Sequence, residues 1–369
     1  MTMIKCNPDL LTDALRLANK ATARGGYLPI LHSFLVEADE AGKLIISGSD
    51  IDVAVSVAIE AEIEGAGRTT VPAQTLFDLV RQLKSAESIT LDMDGPGKIG
   101  LDAGSTSASL KTMPANEYPS IPLPNDEEIM LPMDVLAEGI DLVHWSTDKK
   151  QGRPILTGIN FGIDDGVLAL TAADGYRAAR FKTAVTPKSL KLKSVILPAK
   201  ALRLLRPTLE EEEGMVRIHQ IDDESSRMVF TTPGVKVTSN VIEGAYPDID
   251  SVIPEEWETR AVVSAPDLLE LVTAATVISE QILFSLSANG RLEIKSSGIN
   301  GDYGAELLVE NMEGSPNNFS LNGEYVSQLL KAAGEASIRV QCTTMTSPVR
   351  FDLIGMDYSH VIMPLFTRE

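Results

Sequence analysis

The sequence predicts an α+β protein built from three similar domains, each with antiparallel sheets and two helices. Three observations support this prediction: the chain length, a set of features that recurs in order, and alternating apolar residues between the recurring helices. The 369 residues exceed the size of an ordinary single domain. Apolar residues make up 44% of the chain, which is enough for packed cores and argues against disorder.

Three helix starts recur along the chain. They are Pro8-Asp9, Met133-Asp134 and Pro266-Asp267, and the aspartates lie about 125 and about 133 residues apart. A proline in the first turn fits the backbone there, and the helix dipole stabilises an acidic residue. We therefore predict that each repeat opens with a helix.

Further features follow each helix start in the same order. An alternating strand is predicted at 44–50, 168–174 and 292–298. A second helix is predicted directly after residues 72, 198 and 322. The first two repeats also close on a Tyr-Pro pair, at 118–119 and 246–247. These spacings predict domains at 1–124, 125–254 and 255–369.

Composition and missing motifs exclude several classes of function. The net charge of −20 means that only a local basic patch can bind nucleic acid. Cys6 and Cys342 have no metal or redox spacing, and the first residues lack the apolar core of a signal peptide, so we expect a cytoplasmic protein. The four histidines are scattered, and no nucleotide-binding or nucleophile motif occurs. We predict no catalytic residue, no metal, no cofactor and no membrane segment.

One segment departs from the acidic composition. Residues 177–206 contain nine Lys or Arg and neither Asp nor Glu. Lys200, Arg203 and Arg206 are spaced to lie on one side of the second predicted helix of the middle repeat. The segment is either a patch that contacts phosphates or a solvated face that keeps the chain soluble, and the residues alone leave both open.

Five short segments, taken in order, resemble the bacterial DNA sliding clamp, the beta subunit of DNA polymerase III. They are Leu-Pro-Ile-Leu at 28–31, Thr-Val-Pro-Ala at 70–73, Ala-Ala-Asp-Gly-Tyr-Arg at 172–177, Tyr-Pro-Asp at 246–248 and Val-Ile-Met-Pro-Leu at 361–365. The resemblance runs from about residue 1 to about residue 366. It implies the DNA clamp fold and a head-to-tail homodimer that closes into a ring around double-stranded DNA without contacting the bases.

The resemblance also implies three sets of site residues. The positions near DNA are Arg24, Lys149, Lys150, Arg153, Lys200 and Arg203. A hydrophobic pocket binds short motifs near Gln-Leu-x-Leu-Phe on the replicative polymerase, the clamp loader and repair proteins, with Tyr176 and Arg177 as its rim. The pocket positions are Leu156, Ala173, Gly175, Tyr176, Arg177, Ala178, Pro247, Val252, Val361, Met363, Pro364 and Leu365. The dimer edge joins Ser107, Ala108 and Leu110 of one subunit to Thr276 and Val277 of the next.

We therefore expect a processivity factor that tethers the replicative polymerase to DNA and is not itself an enzyme. The alternative is a three-repeat peptide-binding scaffold unconnected with DNA, in which the basic segment only solvates the surface. An enzyme that uses scattered acidic residues ranks third. Residues 366–369 extend past the common end of the family, which predicts a partner preference of this chain's own.

Overall fold

Helices occur in three pairs, each embedded in a run of antiparallel strands. The structure is a computed structural model that describes the chain except residues 1, 27, 40, 96, 123–127, 151, 211–213, 223–225 and 366–369. The helices of the described residues are α1 (Pro8–Ala21), α2 (Ala73–Gln82), α3 (Met133–Val143), α4 (Ala199–Leu205), α5 (Ala265–Ile278) and α6 (Gly323–Ala333). The three predicted helix starts and the three predicted second helices are confirmed.

The strands follow the same order around each pair of helices. Around the first pair they are β1 (Met3–Cys6), β2 (Ser33–Ala38), β3 (Lys43–Ser49), β4 (Val53–Glu60), β5 (Glu62–Glu64), β6 (Gly67–Pro72), β7 (Ile89–Asp92), β8 (Lys98–Ala103) and β9 (Thr106–Lys111). Around the second they are β10 (Ile129–Pro132), β11 (Gly158–Asp164), β12 (Val167–Ala173), β13 (Arg177–Ala184), β14 (Leu192–Pro198), β15 (Met215–Asp222), β16 (Ser226–Thr232) and β17 (Val235–Asn240). Around the third they are β18 (Thr259–Ser264), β19 (Gln281–Leu286), β20 (Arg291–Gly298), β21 (Gly301–Leu308), β22 (Asn311–Gly314), β23 (Asn317–Asn322), β24 (Ser337–Cys342), β25 (Val349–Leu353) and β26 (Asp357–Ile362).

The chain divides into two compact units, and each contains two antiparallel sheets. Unit 1 comprises Met1–Asp134 and Lys200–Val241, with sheets ordered β5-β1-β7-β8-β9 and β10-β15-β16-β17-β4-β3-β2-β6. Unit 2 comprises Val135–Ala199 and Ile242–Glu369, with sheets ordered β14-β11-β12-β13-β26-β25-β24-β18-β22 and β21-β20-β19-β23. The α+β class with antiparallel sheets is confirmed.

Each large sheet joins strands from two successive repeats. In unit 1, β17 pairs with β4, and in unit 2, β26 pairs with β13. The predicted domain limits at 124 and 254 stay a prediction, and the first of them lies outside the described residues.

Local chemistry sets the helix limits. The Asn7 side chain accepts hydrogen bonds from the backbone N–H groups of Asp9 and Leu10, which satisfies donors that α1 leaves unpaired. Asn322 caps α6 in the same way. Helix α4 has only seven residues, and a 3-10 turn follows it at Arg206–Thr208, where Pro207 cannot donate a helical hydrogen bond. Arg206 therefore lies beyond α4 and not on its face, which corrects the predicted three-residue basic stripe.

A 3-10 turn with the sequence Pro-Ile-Leu occurs once in each unit, just before a long strand. The turns span Pro29–His32 in unit 1 and Pro154–Thr157 in unit 2. Each turn places its leucine in the interior, at Leu31 and at Leu156. No helix of the described residues is long and apolar enough to cross a membrane.

Candidate functional site

A small apolar cluster of unit 2 brings together four of the predicted pocket residues. Leu156, Ala173, Ala178 and Val361 are buried and pack into one cluster with Ile249 and Ile253, and Tyr246 packs against it. Antiparallel pairing sets Ala178 of β13 directly opposite Val361 of β26. The floor of the predicted pocket therefore exists as a packed surface, formed where strands β12, β13 and β26 meet a 3-10 turn.

Exposed apolar side chains surround this floor. Tyr176 is 63% exposed and Met363 is 44% exposed, and Val252 and Leu365 are also exposed. Large apolar groups left in contact with water are typical of a surface that a partner covers. Methionine adapts its shape to different partners because its side chain is unbranched and polarisable.

Backbone hydrogen bonds hold the last described residues in place. The Met363 N–H donates to the Tyr176 carbonyl at 2.8 Å, and the Leu365 N–H donates to the Ser320 carbonyl at 2.8 Å. Pro364 lies between them and has no N–H to donate. Strand β26 therefore ends at Ile362, and the residues after it form one side of the apolar surface. Residues 366–369, for which we predicted an effect on partner preference, lie outside the described residues.

Arg177 lies in the interior and does not form the rim that the sequence predicted. Its guanidinium is almost fully buried and pairs with the Asp174 carboxylate at 3.0 Å. It donates further hydrogen bonds to the Gln328 side chain and the Trp145 carbonyl, each at 2.6 Å. The Tyr325 ring stacks on it, with 4.0 Å from the guanidinium carbon to the ring centroid. Burial lowers the pKa of Arg177, and the Asp174 carboxylate opposes this shift.

Gly175 allows a second arginine to approach the same loop. Its φ of +92° is favourable for glycine, and a Cβ built there lies 2.8 Å from Nη1 of Arg153. Any larger residue at 175 displaces the Arg153 guanidinium. Arg153, which we predicted near DNA, thus lies against the loop of the apolar surface.

Sequence reasoning missed four residues that position this surface. The Tyr246 hydroxyl accepts a hydrogen bond from the Ala173 N–H at 2.9 Å, which ties the Tyr-Pro segment to β12. Arg180 and Lys182 both pair with Asp250, at 2.8 and 2.9 Å, and hold the turn that carries Val252. Hydrogen bonds from Arg180 and Lys182 lower the pKa of Asp250, and its partial burial opposes them. The recurring Tyr-Pro pair was a sequence signal for Tyr246, whereas the partners of Asp250 lie about 70 residues away and left none.

The predicted DNA-contacting residues are divided between the two units. Unit 1 contains Arg24, Lys200 and Arg203, and unit 2 contains Lys149, Lys150 and Arg153. All are exposed except Lys200, which is partly buried. The Lys200 ammonium lies 2.5 Å from a carboxylate oxygen of Asp50, so part of its charge is neutralised. Arg24 follows α1, and Arg203 lies on α4.

Ion pairs occupy many of the basic side chains of residues 177–206. Five of their cations are held in ion pairs: Arg177, Arg180, Lys182, Lys191 and Lys200. The pairing acids are distant in sequence or precede the segment, which is why the segment itself contains none. Whether the segment contacts phosphates or only solvates the surface therefore stays open, and Arg203 is the exposed cation of α4.

The predicted dimer residues lie on an edge strand and on a helix. Strand β9, with Ser107, Ala108 and Leu110, forms one edge of the five-stranded sheet of unit 1. Val277 of α5 in unit 2 is 82% exposed, whereas the Thr276 hydroxyl donates within its own helix to the Val272 carbonyl. Sequence reasoning missed β21, the edge strand of the four-stranded sheet of unit 2, on which Leu308 is exposed. Unpaired edge strands are templates for pairing with another chain.

Two family models match the chain. The model described as DNA polymerase III beta subunit, N-terminal domain, matches residues 2–122, and the model described as the central domain of the same subunit matches residues 130–248.

Curated relatives and solved structures match over nearly the whole length. The beta sliding clamp of Synechococcus elongatus is 27% identical over 381 residues, covering 99% of each chain. The beta sliding clamp of Bacillus subtilis is 25% identical over 355 residues, covering 92% of this chain and 93% of that protein. The crystal structure of the DNA polymerase III beta subunit of Thermotoga maritima matches with a TM-score of 0.88 and 25% identity over 100% of both chains. The Bacillus subtilis sliding clamp structure matches with a TM-score of 0.91 and 24% identity over 99% of both chains.

Proposed function

The chain belongs to the family of bacterial DNA polymerase III beta subunits, and we propose that it works as a sliding clamp. In this function two copies associate head to tail in a ring that encircles duplex DNA. The ring tethers the replicative polymerase, the clamp loader and repair proteins through short hydrophobic motifs. We propose that it acts in the cytoplasm and is not an enzyme, because its contribution is a topological link that involves no chemical step.

The observation that carries this proposal is the apolar surface of unit 2. Its floor is buried and packed, and its rim leaves Tyr176, Met363 and Leu365 open to solvent. A peptide with two or three apolar anchors covers such a rim without reorganising the floor. Buried apolar anchors supply most of the binding energy of small interfaces, so a short motif is sufficient for specific binding.

The charge distribution supports sliding on DNA. The chain has a net charge of −20, which repels a duplex from most of its surface. Exposed cations such as Arg24, Lys149 and Arg203 offer contacts to phosphates, which carry no sequence information. The pairing of Lys200 with Asp50 weakens one of these contacts. Weak contacts suit a protein that is retained by topology and has to move along the helix.

The exposed edges support a head-to-tail contact between copies. Strand β9 belongs to unit 1, whereas β21 and Val277 belong to unit 2. We propose that β9 of one copy meets the β21 and α5 region of the next. This contact is heterologous, so it closes into a ring only if the rotation between copies allows it. The scaffold alternative has no support from the family membership, which links the chain to DNA replication.

The experiment that tests the proposal measures binding of an acetylated peptide containing Gln-Leu-Ser-Leu-Phe by calorimetry. We expect Met363→Asp to weaken binding at least tenfold, because the substitution places a charge in the rim. The matched control is Met356→Asp, since Met356 is exposed to a similar extent (37%) in the turn between β25 and β26. A chain without residues 363–369 should not bind the peptide and should still dimerise. Undiminished binding by Met363→Asp in an intact dimer would contradict the proposal.

A further inference from the structure

The last described residues of the chain lead directly to the apolar surface of unit 2. The Met363 N–H donates to the Tyr176 carbonyl and the Leu365 N–H donates to the Ser320 carbonyl, each at 2.8 Å. Ser320 lies on β23, an edge strand of the four-stranded sheet of unit 2. These two hydrogen bonds fix the backbone on both sides of Pro364, so residue 366 follows from a defined point beside the surface.

The reach of the chain keeps Phe366 near the exposed rim. Phe366 is three residues after Met363, and each residue extends the chain by at most about 3.6 Å, so the two Cα atoms are within about 11 Å of each other. Tyr176 is bonded to Met363 through its backbone, and the side chains of both residues are open to solvent. A phenylalanine ring at position 366 therefore has an apolar partner surface within its reach.

The composition of the tail, residues 366–369, favours this contact. Phe366 is its one large apolar side chain, and Thr367, Arg368 and Glu369 are polar. An aromatic ring gains free energy when it leaves water for an apolar surface. Aromatic rings pack well against one another and against a methionine sulfur, which are the groups that Tyr176 and Met363 present. The exposed rim and Phe366 are therefore complementary.

A covalent link makes such a contact effective even when the contact is weak. A short link between a ligand and its site gives an effective concentration in the millimolar range. A contact with a Kd of about 1 mM in free solution is then formed in roughly half of the molecules or more. A free peptide binds only to molecules in which the surface is open, so its apparent Kd rises by the inverse of the open fraction.

We propose that Phe366 packs on Tyr176 and Met363 and covers the apolar surface of unit 2, so that the tail competes with partner peptides. The proposal rests on the proposed function, because it concerns the surface that binds partner motifs. That motif ends in Leu-Phe, and the chain has the same pair at positions 365–366. The tail therefore selects among partners: a motif with several apolar anchors displaces Phe366, whereas a motif with a single anchor does not.

The first test measures binding of the acetylated Gln-Leu-Ser-Leu-Phe peptide to the full-length chain by calorimetry. Phe366→Ser removes the aromatic ring, and Thr367→Ala is the matched control in the same segment. We expect Phe366→Ser to lower the peptide Kd about fivefold and Thr367→Ala to change it less than about twofold. In stopped-flow measurements, Phe366→Ser should raise the association rate constant by the same factor. The dissociation rate constant should not change, because a bound peptide has already displaced the ring.

The second test detects the tail without any peptide. Methionine methyl groups are labelled and observed by NMR, and the Met363 signal is assigned with Met363→Leu. An aromatic ring packed on Met363 shifts its methyl signal, so Phe366→Ser should move this signal. Met356 is the internal control, since it is exposed in the turn between β25 and β26, and its signal should stay in place.

Two results would overturn the inference. The first is peptide binding that Phe366→Ser leaves unchanged or weakens, since weaker binding means that residue 366 extends the surface for the peptide instead of covering it. The second is a Met363 signal that Phe366→Ser does not move. Absence of peptide binding in the parent chain and in both variants contradicts the proposed function of unit 2, and the Met363 signal then still decides whether the tail contacts the rim.

Discussion

Arg177 provides the sharpest test of how the apolar surface of unit 2 is held in place. Its buried guanidinium pairs with Asp174, donates to Gln328 and to the Trp145 carbonyl, and stacks on Tyr325. Arg177→Met keeps much of the side-chain volume and removes the charge. The substitution leaves the Asp174 carboxylate, of which only 10% is exposed, without its ion-pair partner.

The expected loss follows from what remains around Asp174. Removing one partner of a buried ion pair costs about 3–5 kcal/mol of unfolding free energy. The Asp174 carboxylate still accepts hydrogen bonds from the N–H groups of residues 176 and 177, at 2.9 and 3.0 Å. These two bonds place the loss at the lower end, about 3 kcal/mol. The matched control is Arg180→Met, whose acidic partners are mostly exposed and which should lose less than about 1 kcal/mol.

A double-mutant cycle separates the charge from the packing. Both tryptophans of the chain, Trp145 and Trp257, belong to unit 2, so urea unfolding followed by their fluorescence reports on this unit. Asp174→Asn combined with Arg177→Met removes both charges and should be more stable than the sum of the single losses indicates. The buried ion pair does not stabilise this loop as expected if Arg177→Met loses no more unfolding free energy than Arg180→Met, or if the two single losses add.

Three further predictions concern pH, salt and backbone strain. Burial, aided by the charge of Arg177, lowers the pKa of His360 well below 6.5, and neither of its ring nitrogens has a hydrogen-bond partner among the described residues. As the pH falls, the unfolded state therefore binds a proton at His360 that the folded state does not bind. The free energy of unfolding should fall by about 2 kcal/mol from pH 7 to pH 5. His360→Phe should remove this loss, measured by urea titrations at both pH values. Arg203→Ala should reduce the slope of log K against log salt by about 1, where K is the binding constant for a labelled duplex measured by anisotropy. Lys191→Ala is the control and should leave the slope unchanged, because the Lys191 ammonium already pairs with Asp165 at 2.7 Å. Ile51 has a φ of +85°, which a β-branched residue rarely adopts. Ile51→Gly should stabilise unit 1 by about 1 kcal/mol, because relief of about 1–3 kcal/mol of strain exceeds the added chain entropy of glycine. Unfolding followed by circular dichroism measures this change, and a loss of stability would refute it.

The repeat organisation was predictable because local chemistry repeats. Proline and aspartate at the start of α1 and α5, and the alternating strands that follow, are short-range signals that a single sequence displays. The floor residues Leu156, Ala178 and Val361 were found only through the family resemblance, since an apolar strand residue looks like ordinary core. Their common cluster depends on the pairing of β13 with β26, which lie far apart in the chain.

The pairing of Lys200, the burial of Arg177 and the backbone conformation of Ile51 depend on the folded surroundings, which no local sequence pattern encodes. Lys200 meets Asp50 across 150 positions of sequence, and this pairing converts a predicted DNA contact into a partly neutralised one. Arg177 was predicted at the rim because it follows Asp174 in the predicted loop, and no local pattern indicates that its side chain is buried. The positive φ of Ile51 could not be predicted either. Isoleucine follows Asp50, whereas a glycine, Gly175, follows Asp174 at the matching position of the second repeat.

In the proposed assembly, two copies of the chain enclose DNA as a ring. The most direct test loads the protein with a clamp loader onto nicked circular duplex DNA and separates bound from free protein by gel filtration. We predict that the protein stays on the circle at a salt concentration that abolishes simple phosphate binding, and that it leaves when a single cut makes the DNA linear. Equal retention on circular and linear DNA, or loss from both at that salt concentration, would contradict the ring.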